Sequence, residues 1–500
     1  IINWIDKFTH FIIINYYTYI FNKYLFLNTI NLIIIFRYDL VVLGAGPGGY
    51  TMAIKASQHG LKVAVVEKRS TLGGTCLNCG CIPSKSLLNT SHLFEMLTHG
   101  VNGIKTTGLE LDVAKMMADK NNVMNTLNMG IFGLFKKNKV EYVQGTGSFK
   151  SENEVVVGSR VLLTDHVVVA TGSEVTPFPH DSLKVDGNFV LSSTEALCLD
   201  KVPKRLLVVG GGAIGLELAS VWNRLGSKVD VIEFNKHVCS DVDVSNTIKK
   251  LMEKQGVNIH VDTKVLNAKV SNNTVTLNAQ VGDKQVTHVG DKVLVAMGRR
   301  AYTEGLGLEK LNVTLDRGKV PTDGNLRVLR NKDDKNSYLK KVYAIGDVTY
   351  GPMLAHKAEE DGLVALGHML GLNLVESDHN LVPSVIYTNP EIAGVGSTEQ
   401  SLQNLGVKYK KSVFPFMANS RAKIYNETDG FVKLLADENN KLLGAWLVGP
   451  HVSEMVHQLA LAVTYGASSE DIARMCFAHP SLSEAVKEAA LGVHFKPLHF

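Results

Sequence analysis

The chain has few of the features that mark secreted, nucleic-acid-binding or membrane proteins. Only six of its 500 residues are cysteine, and Cys198, Cys239 and Cys476 stand alone in the sequence, so the pattern is not that of a secreted disulfide scaffold. The net charge is +4 with no basic block, which does not indicate nucleic acid as a partner. A hydrophobic content of 45% and a charged content of 20% are typical of a globular protein.

Residues 1–36 differ in composition from the rest of the chain, being rich in Ile, Asn, Tyr and Phe. The apolar stretch between Phe11 and Phe36 is interrupted by Asn and Lys, whereas a membrane span needs about 20 mostly apolar residues. The segment is also poor in the Arg and Ser of a mitochondrial presequence. We expect a poorly defined or truncated leader, or a targeting sequence, in preference to a membrane anchor.

Cys76 and Cys81 lie five positions apart within GGTCLNCGCIPSK, residues 73–85. In a regular helix this spacing separates Cα atoms by about 8–9 Å, whereas a disulfide needs about 4.4–6.8 Å. Pairing therefore requires a distorted turn, which Gly80 and the proline after it would favour. Two buried free thiols are the alternative. A helix N-terminus and the cation of Lys85 would favour a reactive thiolate. In a reducing compartment, a functional disulfide would be redox-active and not structural.

A strand, a glycine turn, a helix and a second strand follow one another between Tyr38 and Glu67. In the turn GAGPGG, Gly44 makes the tight bend, Gly46 lets a pyrophosphate approach the backbone, and Gly49 lets the helix pack on the strand. The helix N-terminus favours phosphate. Glu67 follows 23 residues after Gly44, where a ribose hydroxyl is expected. The pattern predicts a dinucleotide-binding unit.

The same order recurs from Arg205 to Glu233, with glycines at Gly210, Gly212 and Gly215. Two units indicate two dinucleotides, although either one could be a βαβ layer without a nucleotide. A carboxylate at the end of the second strand binds a ribose 2′-hydroxyl and repels a 2′-phosphate. Glu233 therefore favours NAD over NADP.

Two further strands run into ATGSE (residues 170–174) and AIGDV (residues 344–348). An Asp after a strand usually caps the next helix, so local sequence favours a cap at Asp347 over contact with a cofactor. Near the C-terminus, Ser481 and Glu484 have the spacing of a capping box for the last helix.

Seven motifs in this order resemble the dihydrolipoamide dehydrogenase family of flavin-dependent disulfide oxidoreductases. They are the turn at 44–49, GGTCLNCGCIPSK (73–85), ATGSE (170–174), GGGAIGLE (210–217), AIGDV (344–348), MLAHKAEE (353–360) and AHPSLSE (478–484). The resemblance implies an α/β fold with two Rossmann-like dinucleotide-binding domains, for FAD and NAD, and an α+β C-terminal dimerisation domain. The boundaries it implies are 37–179 for the FAD domain, 180–308 for the NAD domain, 309–377 for a central domain that completes the FAD site, and 378–500 for the dimer interface.

The resemblance also implies a role for each matching side chain near the flavin. Cys76 would be the interchange thiol that meets the substrate, and Cys81 would lie against the flavin. Lys85 would lie near the ring and pair with Glu217. The implied FAD contacts are Gly44, Gly46, Gly49, Glu67, Gly74, Thr75, Lys85, Gly147, Thr171, Gly172, Ser173, Asp347, Met353, Leu354, Ala355 and His356. The implied NAD contacts are Gly210, Gly212, Gly215, Glu217, Glu233, Val265 and Gly298.

The remaining catalytic pair that the resemblance implies is His479, the acid–base supplied by the partner subunit, and Glu484, which would orient it. Histidine titrates near neutral pH and suits the deprotonation of a thiol. A carboxylate partner fixes its tautomer. The capping box is the alternative for Glu484, and the two roles are compatible.

The implied enzyme is a homodimer that oxidises dihydrolipoyl groups with NAD as acceptor. Its implied partners are the lipoyl domains of 2-oxo acid dehydrogenase complexes or of the glycine cleavage system. The resemblance points to the mitochondrial matrix in a eukaryote and to the cytoplasm in a bacterium. We expect no metal site, no nucleic acid and no membrane partner.

The chain departs from the family pattern at Cys79, at Phe477 and at Ala301, where a proline is usual. Three rival functions also have to be weighed. Cys79 replaces a usual apolar residue and is either a bystander thiol or an alternative disulfide partner, and Phe477 replaces a frequent histidine. Glutathione reductase would want basic residues after Glu233, where Phe and Asn follow, and mercuric reductase would have a C-terminal cysteine pair that is absent. A non-catalytic flavoprotein subunit is disfavoured because the cysteines and His479 are intact.

Overall fold

The computed structural model describes residues 35–101, 103–179, 181–372 and 378–500. The predicted leader thus lies outside the described residues, apart from its last two positions, which begin the first strand. The strands are β1 (Ile35–Leu43), β2 (Val63–Glu67), β3 (Glu141–Gln144), β4 (Gly147–Ser151), β5 (Glu154–Val157), β6 (Arg160–Val169), β7 (Ser173–Val175), β8 (Val190–Leu191), β9 (Arg205–Val209), β10 (Lys228–Ile232), β11 (Val257–His260), β12 (Lys264–Ser271), β13 (Thr274–Val281), β14 (Lys284–Gly290), β15 (Lys292–Val295), β16 (Arg299–Ala301), β17 (Arg327–Leu329), β18 (Tyr338–Ala344), β19 (Ser384–Ile386), β20 (Glu391–Gly396), β21 (Lys410–Pro415), β22 (Phe431–Ala436) and β23 (Leu442–Gly449).

The α-helices lie between these strands and after the last of them. They are α1 (Pro47–Gln58), α2 (Gly74–Cys79), α3 (Cys81–His99), α4 (Val113–Lys137), α5 (Ser193–Ala196), α6 (Ala213–Arg224), α7 (Val242–Lys254), α8 (Ala355–Met369), α9 (Glu399–Asn404), α10 (Ser420–Tyr425), α11 (Val452–Thr464), α12 (Ser469–Arg474) and α13 (Glu484–His494). Of the helices in the described part of the chain, none combines the length and apolar composition that crossing a membrane requires.

Five parallel strands in the order β18-β6-β1-β2-β3 form the centre of the first sheet. The side chains of β1 alternate between two core clusters, with Leu40 and Val42 on one face and Val41 and Leu43 on the other. Both faces are buried, which is why these parallel strands are runs of Val and Leu. The chain returns to this sheet through β18 after it has formed the second sheet, so the carboxyl ends of β6 and β18 lie side by side.

The second sheet is also parallel, in the order β11-β10-β9-β15-β8. A three-stranded antiparallel sheet, β12-β13-β14, covers one of its faces and buries Val275 and Leu277 against Leu207 and Val209. The ribbon formed by β7 and β16 lies where the chain leaves the first sheet and where it returns from the second. The fold therefore contains two parallel α/β units.

A five-stranded antiparallel sheet, in the order β19-β20-β23-β22-β21, forms the C-terminal region. Helices α11 and α13 pack on it through apolar residues such as Val456, Leu459, Val486 and Ala489. The predicted fold class, α/β with an α+β C-terminal domain, is confirmed. The predicted domain boundaries stay predictions.

Candidate active site

Cys76 and Cys81 lie on either side of a break between two helices. Helix α2 ends at Cys79 and α3 begins at Cys81, with Gly80 between them at φ −144° and ψ −113°. A Cβ on Gly80 would lie 3.0 Å from the carbonyl oxygen of Thr75, so glycine suits this close approach. The break is the distorted turn that pairing requires, and it brings the two thiols within hydrogen-bonding reach of each other.

The two thiols share a proton unequally. The hydrogen bond from the Cys76 thiol, assisted by the charge of Lys85, lowers the pKa of Cys81 to about 7 against the opposing effect of burial. The same hydrogen bond, together with burial, raises the pKa of Cys76. When the pair loses its first proton, the negative charge therefore resides on Cys81 and not on Cys76.

The ammonium of Lys85 links the thiols to the second unit. Its Nζ lies 3.0 and 2.9 Å from the two carboxylate oxygens of Glu217, which is buried in the first turns of α6. Lys85 Nζ also lies over the Tyr387 ring, 4.4 Å from the ring centroid. The Tyr387 N–H donates to Glu217 Oε1 at 3.1 Å. A buried carboxylate is thus neutralised by a cation that also faces the thiols.

Both thiols open onto a cavity of about 500 Å³ between the two parallel units. Its walls include many of the positions implied as FAD contacts or catalytic residues, namely Gly44, Gly46, Gly49, Glu67, Gly74, Thr75, Cys76, Cys81, Lys85, Thr171, Gly172, Ser173, Glu217, Asp347, Met353, Leu354 and Ala355. The cavity lies at the carboxyl ends of the parallel strands, where open α/β sheets bind ligands.

Glu67 and Glu233 hold the two glycine turns in the same way. Glu67 accepts hydrogen bonds from the Ala45 N–H and the Arg69 N–H, each at 2.9 Å. Glu233 accepts from the Gly211 N–H at 2.6 Å and from the Asn235 N–H at 2.7 Å. Each carboxylate oxygen has a second lone pair, so these carboxylates can also accept from ribose hydroxyls.

Some glycines of the two turns are required for packing within the protein, and others leave space that a nucleotide could fill. A Cβ on Gly49 or Gly215 would lie 2.0 Å from a carbonyl oxygen of its own turn, so these glycines are required by helix–strand packing. Among the described residues, a Cβ on Gly212 would meet no atom within 4 Å, and one on Gly46 would meet only Gly74 at 3.9 Å. The protein leaves this space free at both turns, as close approach of a pyrophosphate requires.

Asp347 faces the cavity and caps no helix. Its Oδ2 accepts a hydrogen bond from Ser173 Oγ at 2.5 Å, and α8 begins after Leu354 without a side-chain cap. The prediction from local sequence that Asp347 caps the next helix was therefore wrong. The parallel pairing of β6 and β18 explains the result, because it carries the loops after both strands to the same edge of the sheet.

His479 and Glu484 are paired but lie away from the cavity. His479 Nδ1 is 2.9 Å from Glu484 Oε1, and the His479 side chain is 70% exposed. Glu484 Oε2 accepts from the Ser481 N–H at 2.8 Å, which is half of the predicted capping box. The other half is absent, because Ser481 Oγ is buried without a hydrogen-bond partner in the described part of the chain and the N-cap is Ser483.

Partial burial alone would raise the pKa of Glu484. The hydrogen bonds from the Ser481 N–H and from His479 outweigh burial, and the pKa of Glu484 is lowered. The carboxylate is thereby kept ionised as a partner for the His479 ring.

Several predicted positions do not line the cavity. His356 Nε2 lies 2.8 Å from the Pro383 carbonyl oxygen, and Val265 packs in the core between the second sheet and its antiparallel cover. Gly147 begins β4, where a Cβ would lie 2.7 Å from Leu43. The other positions outside the lining are Gly210, Gly212, Gly215, Glu233, Gly298, His479 and Glu484.

Sequence reasoning missed Arg299 and Tyr387. Arg299 lines the cavity and donates to Ser173 Oγ at 2.7 Å and to the Ser173 carbonyl oxygen at 2.6 Å. It also reaches Thr75 Oγ1 at 3.5 Å. Neither residue is separated from its partners by a spacing that a sequence motif would reveal. The one available signal was that Arg299 directly follows Gly298, an implied NAD contact.

The chain matches the family described as Pyridine nucleotide-disulphide oxidoreductase over residues 38–362, and the dimerisation domain of that family over residues 382–490. It is 48% identical over 476 residues to the Dihydrolipoamide dehydrogenase of Chaetomium thermophilum, covering 92% of each chain. It is 45% identical over 480 residues to the mitochondrial dihydrolipoyl dehydrogenase of Homo sapiens, again covering 92% of each chain. Among solved structures, LpdA of Mycobacterium tuberculosis matches with a TM-score of 0.82 at 26% identity, covering 91% of this chain and 99% of that one.

A disulfide oxidoreductase with two dinucleotide-binding units is the class that the fold, the thiol pair and the glycine turns define. The chain belongs to the pyridine nucleotide-disulphide oxidoreductase family. The predicted enzyme, an FAD- and NAD-dependent dihydrolipoamide dehydrogenase, is confirmed by relatives of this identity and coverage.

Proposed function

We propose that Cys76 and Cys81 form the redox disulfide through which this enzyme oxidises protein-bound dihydrolipoyl groups with NAD as acceptor. The observation that carries the proposal is that Cys76 and Cys81 lie close enough to shift each other's pKa and both line the cavity of the first glycine turn. In the first half-reaction the substrate dithiol becomes a disulfide and the protein disulfide becomes two thiols. In the second, the thiols return to the disulfide, and NAD⁺ becomes NADH with release of a proton.

Cys76 receives the attack of the substrate thiolate. Attack on its sulfur breaks the bond to Cys81, which leaves as a thiolate, and a leaving thiol departs faster when its pKa is low. The charge of Lys85 also lowers the pKa of Cys81 and does not depend on a Cys76 proton, which supports this assignment. The second substrate thiol then attacks the mixed disulfide at its own first sulfur, which releases Cys76 and completes the lipoyl disulfide.

Lys85 stabilises the negative charge that each exchange leaves on Cys81. Glu217 and the Tyr387 ring hold the ammonium in place. FAD, when bound along the first glycine turn, supplies the electron transfer between the thiols and the nicotinamide. The residues that would hold it are Gly44, Gly46, Glu67, Ser173, Asp347 and Arg299.

His479 of the partner subunit takes the proton from the substrate thiol. His479 is exposed and does not line the cavity of its own chain, which supports a role across an interface, and the chain carries the family's dimerisation domain. Glu484 holds the ring through Nδ1, which leaves Nε2 free to accept the proton.

Glu233 selects NAD over NADP in the second unit. Its carboxylate is buried and held by the Gly211 N–H and by Asn235, so it cannot turn away from a 2′-phosphate. Repulsion between the two anions would reject NADP.

The substrate arms belong to lipoyl domains of 2-oxo acid dehydrogenase complexes or of the glycine cleavage system, and the compartment is the mitochondrial matrix. Relatives named as mitochondrial in Arabidopsis thaliana, Pisum sativum, Bos taurus and Homo sapiens support this location.

Paired kinetics test the substrate and the nucleotide together. Turnover is measured with dihydrolipoamide and NAD, with dihydrolipoamide and NADP, and with oxidised glutathione and either reduced nucleotide. We expect kcat/KM with dihydrolipoamide and NAD to exceed every other combination by orders of magnitude. Preference for glutathione and NADPH would overturn the proposal, and the absence of any turnover would favour a non-catalytic subunit.

A further inference from the structure

Three potential metal ligands converge on one side of the second parallel unit, away from the thiols. They are Asp230 on β10, His260 on β11 and His288 on β14, whose ligand atoms lie within 4.8 Å of one another. His260 Nε2 is 3.3 Å from Asp230 Oδ1, and the rings of His260 and His288 have centroids 4.6 Å apart. None of the three lines the thiol cavity.

The sheet registers place these side chains at an interface between two sheets. Asp230 shares a face of β10 with Ile232, which packs towards the antiparallel cover, and Ile232 pairs with His260 on β11. On the facing sheet, His288 pairs with the buried Leu277, so it points back towards the parallel strands. The cluster would therefore join the second parallel sheet to its cover.

Two observations indicate a site for an ion. His288 Nε2 is buried and has no hydrogen-bond partner among the described residues, although its ring faces His260. Asp230, which is 3% exposed, is oriented by Arg205 Nε at 2.9 Å on Oδ2 and by Asn258 Nδ2 at 3.1 Å on Oδ1. Partners of this kind orient the ligands of metal sites. The His260 side chain is 39% exposed, which leaves a path from solvent.

We propose that Asp230, His260 and His288 bind one divalent transition-metal ion of the Zn²⁺ class, which links the second parallel sheet to its antiparallel cover. Two imidazoles and one carboxylate suit Zn²⁺, with about 2.0–2.2 Å from the metal to each ligand and a fourth position for water. The sequence predicted no metal, because the three residues lie on three strands and share no short spacing. The site does not depend on the proposed redox function.

Calorimetry with Zn²⁺ on the oxidised, chelator-treated holoenzyme tests the site, because the sulfurs of Cys76 and Cys81 are then in a disulfide and do not compete for the metal. We expect one equivalent per chain and a rise in Tm with Zn²⁺. His260→Gln and His288→Gln should each weaken binding by about tenfold or more, because loss of even an outer partner of a metal ligand costs about that much. His59→Gln, an exposed histidine on the first unit, is the matched control and should bind as the wild type does.

Unchanged affinity in both cluster variants, or no binding by the wild type, would overturn the proposal and leave a hydrogen-bonded cluster around Asp230. Flavin content and circular dichroism show whether each variant is folded. If a variant does not fold, crystals of the wild type soaked in Zn²⁺ decide the question. An anomalous peak between Asp230, His260 and His288 supports the site, and peaks only elsewhere contradict it.

Discussion

Lys85 and Glu217 join the two dinucleotide-binding units across the cavity, with Nζ 3.0 and 2.9 Å from the two carboxylate oxygens. Lys85 belongs to the helix that begins at Cys81, and Glu217 to the helix that starts at the second glycine turn. The same ion pair therefore sets the charge near the thiols and fixes one unit against the other. Its two members act on Cys81 with opposite signs.

Replacing the two members of this pair should change the reactivity of Cys81 in opposite directions. The Lys85 charge lowers the pKa of Cys81 and the Glu217 charge raises it. Lys85→Met should therefore raise that pKa and slow alkylation of the reduced enzyme by iodoacetamide at pH 6 several-fold, whereas Glu217→Gln should lower the pKa and accelerate it. In the wild type, the alkylation rate should rise with a midpoint near pH 7, because only the thiolate reacts.

Lys85→Arg, which keeps the charge, is the control for the loss of side-chain packing. A shift of the midpoint in the same direction for Lys85→Met and Glu217→Gln would contradict the electrostatic role of the pair.

Replacing either member of the thiol pair should abolish lipoamide turnover and leave FAD bound. Cys76→Ser removes the sulfur that receives the substrate, and Cys81→Ser removes the leaving thiolate, so neither variant can form the disulfide. Turnover and the flavin absorbance of the purified proteins provide the two readouts. Loss of flavin from Cys76→Ser would count against its role as the outer thiol.

Cys79→Ser is the matched control because Cys79 lies on the same short helix and also lines the cavity. Its sulfur lies 3.7 Å from Arg69 Nη1. Turnover near the wild-type rate would identify Cys79 as a bystander. A loss as large as that of Cys76→Ser would make it a member of the couple.

His479→Gln should slow dihydrolipoamide oxidation by about 10²–10⁴-fold, the range for loss of a general base. Glu484→Gln should cost less, because the ring remains and loses only its charged partner, while the amide oxygen can still accept from the Ser481 N–H or the ring. Pre-steady-state reduction of the enzyme by dihydrolipoamide isolates this step. A near-normal rate for His479→Gln would remove it as the proton carrier, provided that the variant remains dimeric.

Replacing Gly212 or Gly215 of the second turn by Ala should affect different properties of the enzyme. Gly212→Ala adds a methyl group where no atom of residues 35–101, 103–179, 181–372 or 378–500 lies within 4 Å, so the fold should be retained while the KM for NAD rises. Gly215→Ala places its methyl group 2.0 Å from the Gly210 carbonyl oxygen and should destabilise the second unit. Thermal unfolding and NAD kinetics separate the two effects. An unchanged KM in Gly212→Ala would argue against phosphate approach at this turn.

Local patterns predict the units that depend on neighbours in sequence. Backbone sterics and short spacing are enough to predict the two glycine turns and the acids at Glu67 and Glu233. The break at Gly80 is expected only if the two cysteines pair. The roles at the thiols and at His479 came from resemblance to a family, because i and i+5 spacing alone leaves pairing undecided.

Predictions from local sequence were wrong where a distant strand supplied the partner. Asp347 looked like a helix cap, but β18 returns to the first sheet beside β6 and presents its carboxylate to Ser173 instead. Arg299 reaches the cavity from the ribbon of β7 and β16, and Tyr387, directly after β19, contacts Lys85. No spacing in the sequence links Arg299 to Ser173 or Tyr387 to Lys85.

The order of residues in the chain defines the two βαβ units and the chemistry available in them, because glycine turns, helix starts and strand alternation are set by residues within a few positions of one another. Which side chains meet depends instead on the three-dimensional fold. The contacts between Lys85 and Glu217, and among Asp230, His260 and His288, require the packing of separate sheets and helices. That packing is set by burial of apolar faces, which carries no signal in the spacing of the polar residues themselves.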